Sequence, residues 1–490
     1  MNAPQSNWPA VVTPPHHFIG GRFVPAASGI AIPVVDPSDG STFAAIARGS
    51  ARDVDIAVEA ATRAFEGVWG RFAPVEKGRV LARLSAAILE HADELAMLEA
   101  RDCGKPLKQA RADVVACARY FEFYGGAPDK LHGSTIPYTE GYTVLTWREP
   151  HGVTGHIVPW NYPLQIFGRS VGAALAAGNA CVVKPAEDAC LSLLRLAALA
   201  TEAGLPAGAL NIVTGLGAEA GAALAAHRGI AHLSFTGSPA TGATVAKACA
   251  ERHCPVTLEL GGKGPQVVFA DADVEAALPV LVNAIVQNAG QTCSAGSRLL
   301  VEQSLYEDLL ARLAERFAAL RAGPALADVD CGPLIRASQR DRVRSFLEAA
   351  RRDRIAVAAQ GRIVDDAPSE GFYVPPTLLR DVPPDHRLAC EEVFGPVLAA
   401  MPFRDEAQAV EIANGTDYGL AAGVWTRDGA RQLRMARAIR SGQVFVNNYG
   451  AGGGVELPFG GVKHSGHGRE KGFEALYAFT SLKTVVLRHG

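Results

Sequence analysis

Apolar and polar positions follow two rhythms along this chain, and the change between them divides it. Ahead of Gly126 the apolar positions recur with a helical period. Ser50-Ala-Arg-Asp53 reads as a capping box, in which the serine and the acid satisfy free amides of the first turn of DVDIAVEAATRAFEGVW. Pro74 opens a long helical segment that ends near Gly104, and ADVVACARYFEFYGG forms a third helix that stops at Gly125-Gly126.

From 142 to 270 the pattern shifts to short apolar runs, each followed by an Ala/Leu-rich stretch of helical period. The runs are GVTGHIV, ACVVKP, LNIVTG, IAHLSFTG and VTLELGG, with helices near 164–177, 188–203, 217–227 and 239–251. Strands alternating with helices predict an α/β fold of βαβ units, with a parallel sheet covered on both faces. A second alternating region starts near 262 with strand QVVFA, helix DVEAALPVLVNAIVQNAG, strand SRLLVE and helix LYEDLLARLAERFAAL, and runs to about 460. YTVLTWREPHG (142–152) and SLKTVVLRHG (481–490) are strand-like pieces outside both regions and are expected to pair as a small projecting sheet. Open sheet edges seek partners, so an oligomer is expected.

The length of 490 residues exceeds what one core usually supports, which agrees with two lobes. A net charge of −3 with scattered Lys and Arg gives no electrostatic footprint for nucleic acid. No apolar run approaches the roughly 18 residues of a membrane span; the richest, AALPVLVNAIV, carries Pro279 and Asn283. MNAPQSNWPAVVTPPHHF lacks the basic-then-apolar order of a secretory leader, and a cytoplasmic protein is expected.

The nine cysteines are odd in number and widely spaced, without CxxC, so neither a disulfide framework nor a metal site is expected. Most sit in Ala/Leu/Val settings such as ACVV and VVACA, as small buried fillers do. Cys293, in GQTCSAGSR, has glycine and hydroxyl residues on both sides, a setting that offers a thiol access, and is the candidate nucleophile. Glu259 ends the apolar strand of VTLELGGKG and is either a strand-end acid or a carboxyl of raised pKa that takes a proton near neutral pH. Asn161, held between the prolines of PWNYP, either donates to an oxyanion or caps the next helix. Neither GLGAEAG nor GSPATG matches a standard phosphate fingerprint. SFTGSPATG still runs from strand into helix, so Gly237 and Ser238 either face a phosphate or cap that helix.

Taken together, PWNYP, KPAE (184–187), FTGS (235–238), LELGGK (258–263), GQTCSAGSR, EEVFGPV (391–397) and PFGGVKHSGHGRE (458–470) resemble, in order and approximate spacing, the aldehyde dehydrogenase superfamily. The resemblance covers the chain from about residue 17 onward. It implies a Rossmann-like cofactor domain (1–127 and 151–261), an α/β catalytic domain (262–461), and a β-flap oligomerisation element (128–150 and 475–490) that builds a homodimer or homotetramer. It also implies Cys293 as the nucleophile that forms a thiohemiacetal and then a thioester, Asn161 with the Cys293 amide as the oxyanion holder, and Glu259 as the base for water. For the cofactor it implies Lys184 and Glu187 at the adenosine ribose, Gly217 at the adenine, Gly237 and Ser238 at the pyrophosphate, and Glu392 and Phe394 at the nicotinamide ribose. Ile157, Pro159, Trp160 and Leu260 complete that implied lining. A carboxylate at the ribose accepts from both hydroxyls and repels a 2′-phosphate, which favours NAD over NADP.

One departure stands out. Where many general members carry Trp and Lys, this chain has Arg169 and Ser170, which puts in doubt the proton relay that the lysine makes with the acid matching Glu470. Arg169 resembles the arginine that succinic semialdehyde dehydrogenases use on a substrate carboxylate, so with Tyr162 it is a substrate candidate for an acidic or polar aldehyde; the alternative is a structural ion pair. Rival functions are a CoA-acylating enzyme, against which Glu259 argues, and a non-catalytic protein of the same fold.

Overall fold

The computed structural model describes residues 15–450 and 454–490; the proline-rich opening of the chain lies outside them. The capping box is made by Asp53, whose carboxylate accepts from the Ser50 backbone N–H at 2.8 Å and from its hydroxyl at 2.7 Å. It starts the helix Ala51–Glu66. The expected single segment from Pro74 to Gly104 is two helices, Pro74–Glu90 and Ala92–Cys103. His91 breaks it by leaving helical ψ, and its ring pairs with Glu94 in the next first turn at 2.9 Å. Gly104 closes the second helix at φ +76°, where a side chain would be strained.

Two sheets carry the fold. In the first, five parallel strands run in the spatial order Leu210–Ile212, Ala180–Pro185, Val153–Val158, His232–Thr236 and Val256–Glu259. Antiparallel edges are added by His17–Ile19 with Arg22–Val24, and by Gly466–His467. Chain order runs one way from Val153–Val158 and then the other way, so a topological switch lies between that strand and His232–Thr236. Crevices that take ligands open at the carboxyl ends of strands at such a point.

The second sheet runs Ala356–Gln360, Thr377–Arg380, Val397–Phe403, Arg298–Glu302, Pro265–Val268, Ala421–Trp425 and Gln443–Val446, parallel except at the first pair. Each sheet has its own apolar core. The chain passes from Glu259 to Pro265 in one short glycine-rich step, which sets the carboxyl ends of the first sheet against the amino ends of the second. A third sheet pairs Thr480–Arg488 antiparallel with Tyr142–Pro150 along their whole length and adds Ser134–Ile136. Trp147, Leu482, Val486 and Leu487 are exposed on it.

The helix expected over DVEAALPVLVNAIVQNAG is shorter: it spans Val274–Val286, and Asn288 and Ala289 are left-handed at φ +49° and +51°. Tertiary contact overrides the helical pattern there. Asn288 donates its side-chain amide to the Asn161 carbonyl at 2.8 Å, and a Cβ on Gly290 would stand 2.1 Å from the Gly395 carbonyl oxygen. Among the described residues no helix is long and apolar enough to cross a membrane, and no cluster of His, Cys, Asp or Glu could hold a metal. All nine cysteines are free.

Candidate active site

Four strands of the first sheet deliver their residues at or just past their carboxyl ends. Val153–Val158 leads into Pro159, Trp160 and Asn161; Ala180–Pro185 carries Lys184 and leads to Glu187; His232–Thr236 leads to Gly237 and Ser238; Val256–Glu259 ends on the acid and leads to Leu260. The second sheet contributes from its amino ends, with Cys293 ahead of Arg298–Glu302, and Glu392 and Phe394 ahead of Val397–Phe403.

Two cavities meet at Cys293. One, of about 360 Å³, is lined by Trp160, Asn161, Gly237, Glu259, Glu392 and Phe394 as well as Cys293. The other, of about 320 Å³, is lined by Tyr162, Arg169, Thr292, Phe459, Lys471 and again Cys293. A larger cleft of about 770 Å³, flanked by Arg22, Arg52 and Arg63, holds none of the candidate site residues.

Glycines bring the second strand end to the thiol. A Cβ on Gly262 would lie 2.3 Å from the Cys293 carbonyl oxygen, and one on Gly261 would lie 2.4 Å from Glu392 Oε2. The Gly262 N–H donates to Glu392 Oε1 at 2.9 Å. Gly460, from PFGG, presses on the other acid: its Cβ would stand 2.7 Å from Glu259 Oε1, at a φ of +156°. The paired glycines of both motifs therefore let backbone approach the Cys293 carbonyl and the Glu392 and Glu259 carboxyl groups.

Among the described residues the Asn161 side-chain amide donates once, to the Gln291 carbonyl at 3.0 Å, which leaves its second N–H for another acceptor. Gln291 is itself braced, donating to the Asn288 carbonyl at 3.1 Å and accepting from the Ile335 N–H at 2.9 Å. Tyr162 shares a 2.7 Å hydrogen bond with Thr292, beside the thiol. Glu259 is buried, and among the described residues neither carboxyl oxygen has a hydrogen-bond partner. Burial pushes its pKa well above the usual carboxylate range, and the Glu470 charge adds to this. Burial likewise pushes the Cys293 thiol up to about 11, with Arg169 opposing.

At the far end of the cofactor side, Lys184 Nζ contacts Glu187 Oε2 at 3.0 Å, and a Cβ on Gly217 would come within 4.0 Å of that ammonium. Ser238 caps the helix Pro239–Ala250 by accepting from the Thr241 N–H at 3.3 Å. Phe394 sits at φ +58° with its ring edge-on to Trp160 at 5.4 Å. Ile157 lies half-buried in its strand, in register with Lys184 and Phe235. The helix start at Gly237 and Ser238 and the Glu392–Phe394 pair line one crevice and suit the pyrophosphate and nicotinamide ends of a dinucleotide, while the Lys184–Glu187 pair lies at and just past the end of a neighbouring strand of the same sheet.

Arg169 lines the second cavity, but its guanidinium ion-pairs through Nε with Glu470 and donates from Nη2 to Thr236 Oγ1 at 3.3 Å. Ser170 turns back on its own helix, donating to the Ile166 carbonyl at 3.1 Å. Three further groups at the site lie outside every sequence motif. Gln339 donates to the Phe394 carbonyl at 2.7 Å and Arg342 to the Glu392 carbonyl at 2.7 Å, from a helix that no motif marks. Lys471 follows directly on the last motif, GRE, and that adjacency was its only mark.

A crevice for a dinucleotide opening onto a thiol is the arrangement of a dehydrogenase that works through a covalent sulfur intermediate. The model of the aldehyde dehydrogenase family matches residues 23–485, and the chain belongs to that family. It is an NAD-dependent aldehyde-oxidising enzyme. A hydroxyisobutyraldehyde dehydrogenase of Mycolicibacterium austroafricanum is 42% identical over 475 residues, 96% of this chain and 94% of that protein. Among solved structures, a putative aldehyde dehydrogenase from Burkholderia cenocepacia is 71% identical with a TM-score of 0.96, covering 97% of this chain and 100% of that one. An NAD+ complex of aldehyde dehydrogenase from Bacillus cereus is 38% identical with a TM-score of 0.96, covering 100% and 99%.

Proposed function

We propose that Cys293 is the nucleophile, Asn161 and the Cys293 backbone N–H hold the oxyanion, and Glu259 is the general base. The observation that carries this reading is that one sulfur borders both the crevice of cofactor residues and the second cavity. The sulfur attacks the aldehyde carbon from the second cavity, and the carbonyl oxygen takes the charge. The free N–H of Asn161 meets that charge as it develops. NAD, when bound, supplies the hydride acceptor that leaves a thioester on Cys293. The ionised form of Glu259 then takes a proton from water, and hydroxide displaces the sulfur to release the acid; burial makes that carboxylate a stronger base than one in solvent.

Lys184, Glu187, Gly217, Gly237, Ser238, Glu392 and Phe394 hold the cofactor, with Ile157, Pro159, Trp160 and Leu260 lining its crevice. The body built on the first sheet is the cofactor domain, the body on the second the catalytic domain, and the three-stranded sheet the oligomerising element of a cytoplasmic homodimer or homotetramer. Its exposed Trp147, Leu482, Val486 and Leu487 support that role. The substrate has an acidic or polar end, a reading supported by the cationic side chains of Arg169 and Lys471 in the cavity wall.

A panel of acidic, aliphatic and aromatic aldehydes, run with NAD and with NADP, tests this reading. Acid formed without CoA, faster with NAD, is the expected result. Acyl-CoA as the required product would overturn it.

A further inference from the structure

One side of the cofactor crevice is built by the second body. Arg336, at the N-cap of the helix Ala337–Arg352, and Gln339 and Arg342 within it border the cavity of about 360 Å³ that also holds Gly237, Ser238 and Pro239. Their three-residue spacing puts them along one helix face. Gln339 and Arg342 are committed to the Phe394 and Glu392 carbonyls, at 2.7 Å each. Arg336 has extended backbone, with φ −159° and ψ 164°, and its side chain reaches across to the first body. There Nη1 ion-pairs with Asp188, in the turn that follows Ala180–Pro185. Asp188 does not border the cavity, so the guanidinium has its carboxylate on one side and the crevice on the other. The base of the side chain is braced as well, because the Ile335 N–H donates to Gln291 Oε1 at 2.9 Å.

Among the described residues, Nε and Nη2 of Arg336 have no hydrogen-bond partner. A guanidinium presents its N–H groups as a planar fork that matches a phosphate. The helix start on the same cavity is short of donors. Pro239 has no N–H, the Gly237 N–H is spent on the Glu259 carbonyl at 3.0 Å, and the Thr241 N–H is spent on Ser238 Oγ at 3.3 Å. The wall also carries two carboxyl groups, Glu259 and Glu392, and its described cations are Arg336 and Arg342. An anionic pyrophosphate entering there needs a compensating charge, and Arg336 is the cation not already turned to a backbone carbonyl.

We propose that Arg336 is a cofactor-binding residue supplied by the second body. Its free N–H groups donate to the pyrophosphate of NAD while Nη1 stays on Asp188, so one side chain ties both bodies to the cofactor. This rests on the reading of the crevice at Gly237 and Ser238 as the pyrophosphate site, and it adds to that site a charge from the opposite wall.

The test measures the Kd of NAD, NADP, ADP-ribose and adenosine by titration calorimetry in the wild type, Arg336→Leu and Arg336→Lys. In Arg336→Leu the Kd of NAD and of ADP-ribose should rise at least about tenfold, as loss of a charge-assisted contact requires, while that of adenosine stays within about twofold. Arg336→Lys keeps the charge without the fork and should fall between the two. An unchanged NAD affinity in folded Arg336→Leu, or equal weakening of adenosine, overturns the proposal. A larger loss for NADP than for NAD would place Arg336 at the 2′-phosphate and overturn it too. A second measurement needs no variant: ADP-ribose should slow phenylglyoxal modification of Arg336 in the wild type, read by peptide mass, and adenosine should not. Equal protection by the two overturns the proposal. Hydrogen exchange separates the two readings. If NAD protects the amides of residues 237–242 but Arg336→Leu binds NAD as the wild type does, this proposal alone fails; if those amides are not protected, the reading of the crevice fails with it.

Discussion

Arg169 and Glu470 form an ion pair in the wall behind Cys293, and both charges act on Glu259. Burial raises the Glu259 pKa first, the Glu470 carboxylate raises it further, and Arg169 opposes them. Glu470 also accepts from Ser234 Oγ at 2.7 Å, a bond that the amide oxygen of a glutamine keeps. Glu470→Gln therefore removes a negative charge and leaves Arg169 unopposed, and both effects lower the Glu259 pKa. A base with a lower pKa is ionised from lower pH upward. The acidic limb of thioester hydrolysis should move to lower pH, read as decay of preformed acyl-enzyme across a pH series. A limb that stays in place or moves upward would show that Glu470 does not tune the base.

Cys293 gives a prediction of opposite kind, because its reactive form is scarce. With burial holding the thiol at about 11, the thiolate fraction of the free enzyme climbs about tenfold per pH unit through the neutral range. Alkylation by iodoacetamide should rise by that factor from pH 7 to pH 10 without levelling. A plateau below pH 9 would contradict it. Cys293→Ala should abolish NADH formation from every aldehyde and still bind NAD.

Glu259→Gln separates the two halves of the reaction. Attack and hydride loss need the sulfur and the oxyanion holders, whereas release needs a base. Steady-state turnover should fall on the order of 10²- to 10⁴-fold, the usual contribution of a general base, while a thioester remains detectable on Cys293 by intact mass. Wild-type turnover would remove Glu259 from the mechanism.

Much of this site was legible because its residues lie in short motifs at strand ends, and the alternation of apolar runs with helices places those ends on one side of a parallel sheet. That placement leaves the turns of PWNYP and LELGGK free to face a ligand, while the particular roles proposed for Asn161 and Glu259 come from the family resemblance. What the sequence pattern hid depends on contacts made far along the chain. AIVQNAG reads as helix, yet Asn288 and Ala289 are left-handed because the Asn161 carbonyl and the Gly395 backbone claim that segment. Arg169 allowed two readings, and only folding reveals that Glu470 holds its Nε. Lys471 looks like a surface lysine after a glycine-rich motif. Its burial comes from Phe459 and Tyr120, which belong to different elements.

Glu187 should govern cofactor choice. Its carboxylate is held by Lys184 at 3.0 Å, and in the role proposed for it at the adenosine ribose it would accept from the hydroxyls and repel a 2′-phosphate. Glu187→Gln should weaken NAD and improve NADP, so that the ratio of their kcat/KM values falls on the order of tenfold, as expected for one charge-assisted contact. An unchanged ratio would place the discrimination elsewhere.

Gly262 tests whether close backbone approach, and not chemistry alone, sets the rate. The residue has no special φ, so alanine brings no backbone strain. The obstacle is steric: the new Cβ would stand 2.3 Å from the Cys293 carbonyl oxygen and 3.3 Å from Leu420 Cβ. Since the carbonyl belongs to the residue of the proposed nucleophile, the thiol must shift to make room, and displacement of about 1 Å can cost on the order of 10²-fold in rate. The Gly262 N–H that holds Glu392 is retained by alanine, so NAD affinity should change far less than kcat. Gly429→Ala provides the comparison, because a Cβ there meets nothing within 4 Å. Gly262→Ala should lose about 10²-fold in kcat/KM with its melting temperature within a few degrees of the wild type, and Gly429→Ala should lose nothing. Full activity in Gly262→Ala would mean that the Cys293 loop yields without moving its sulfur.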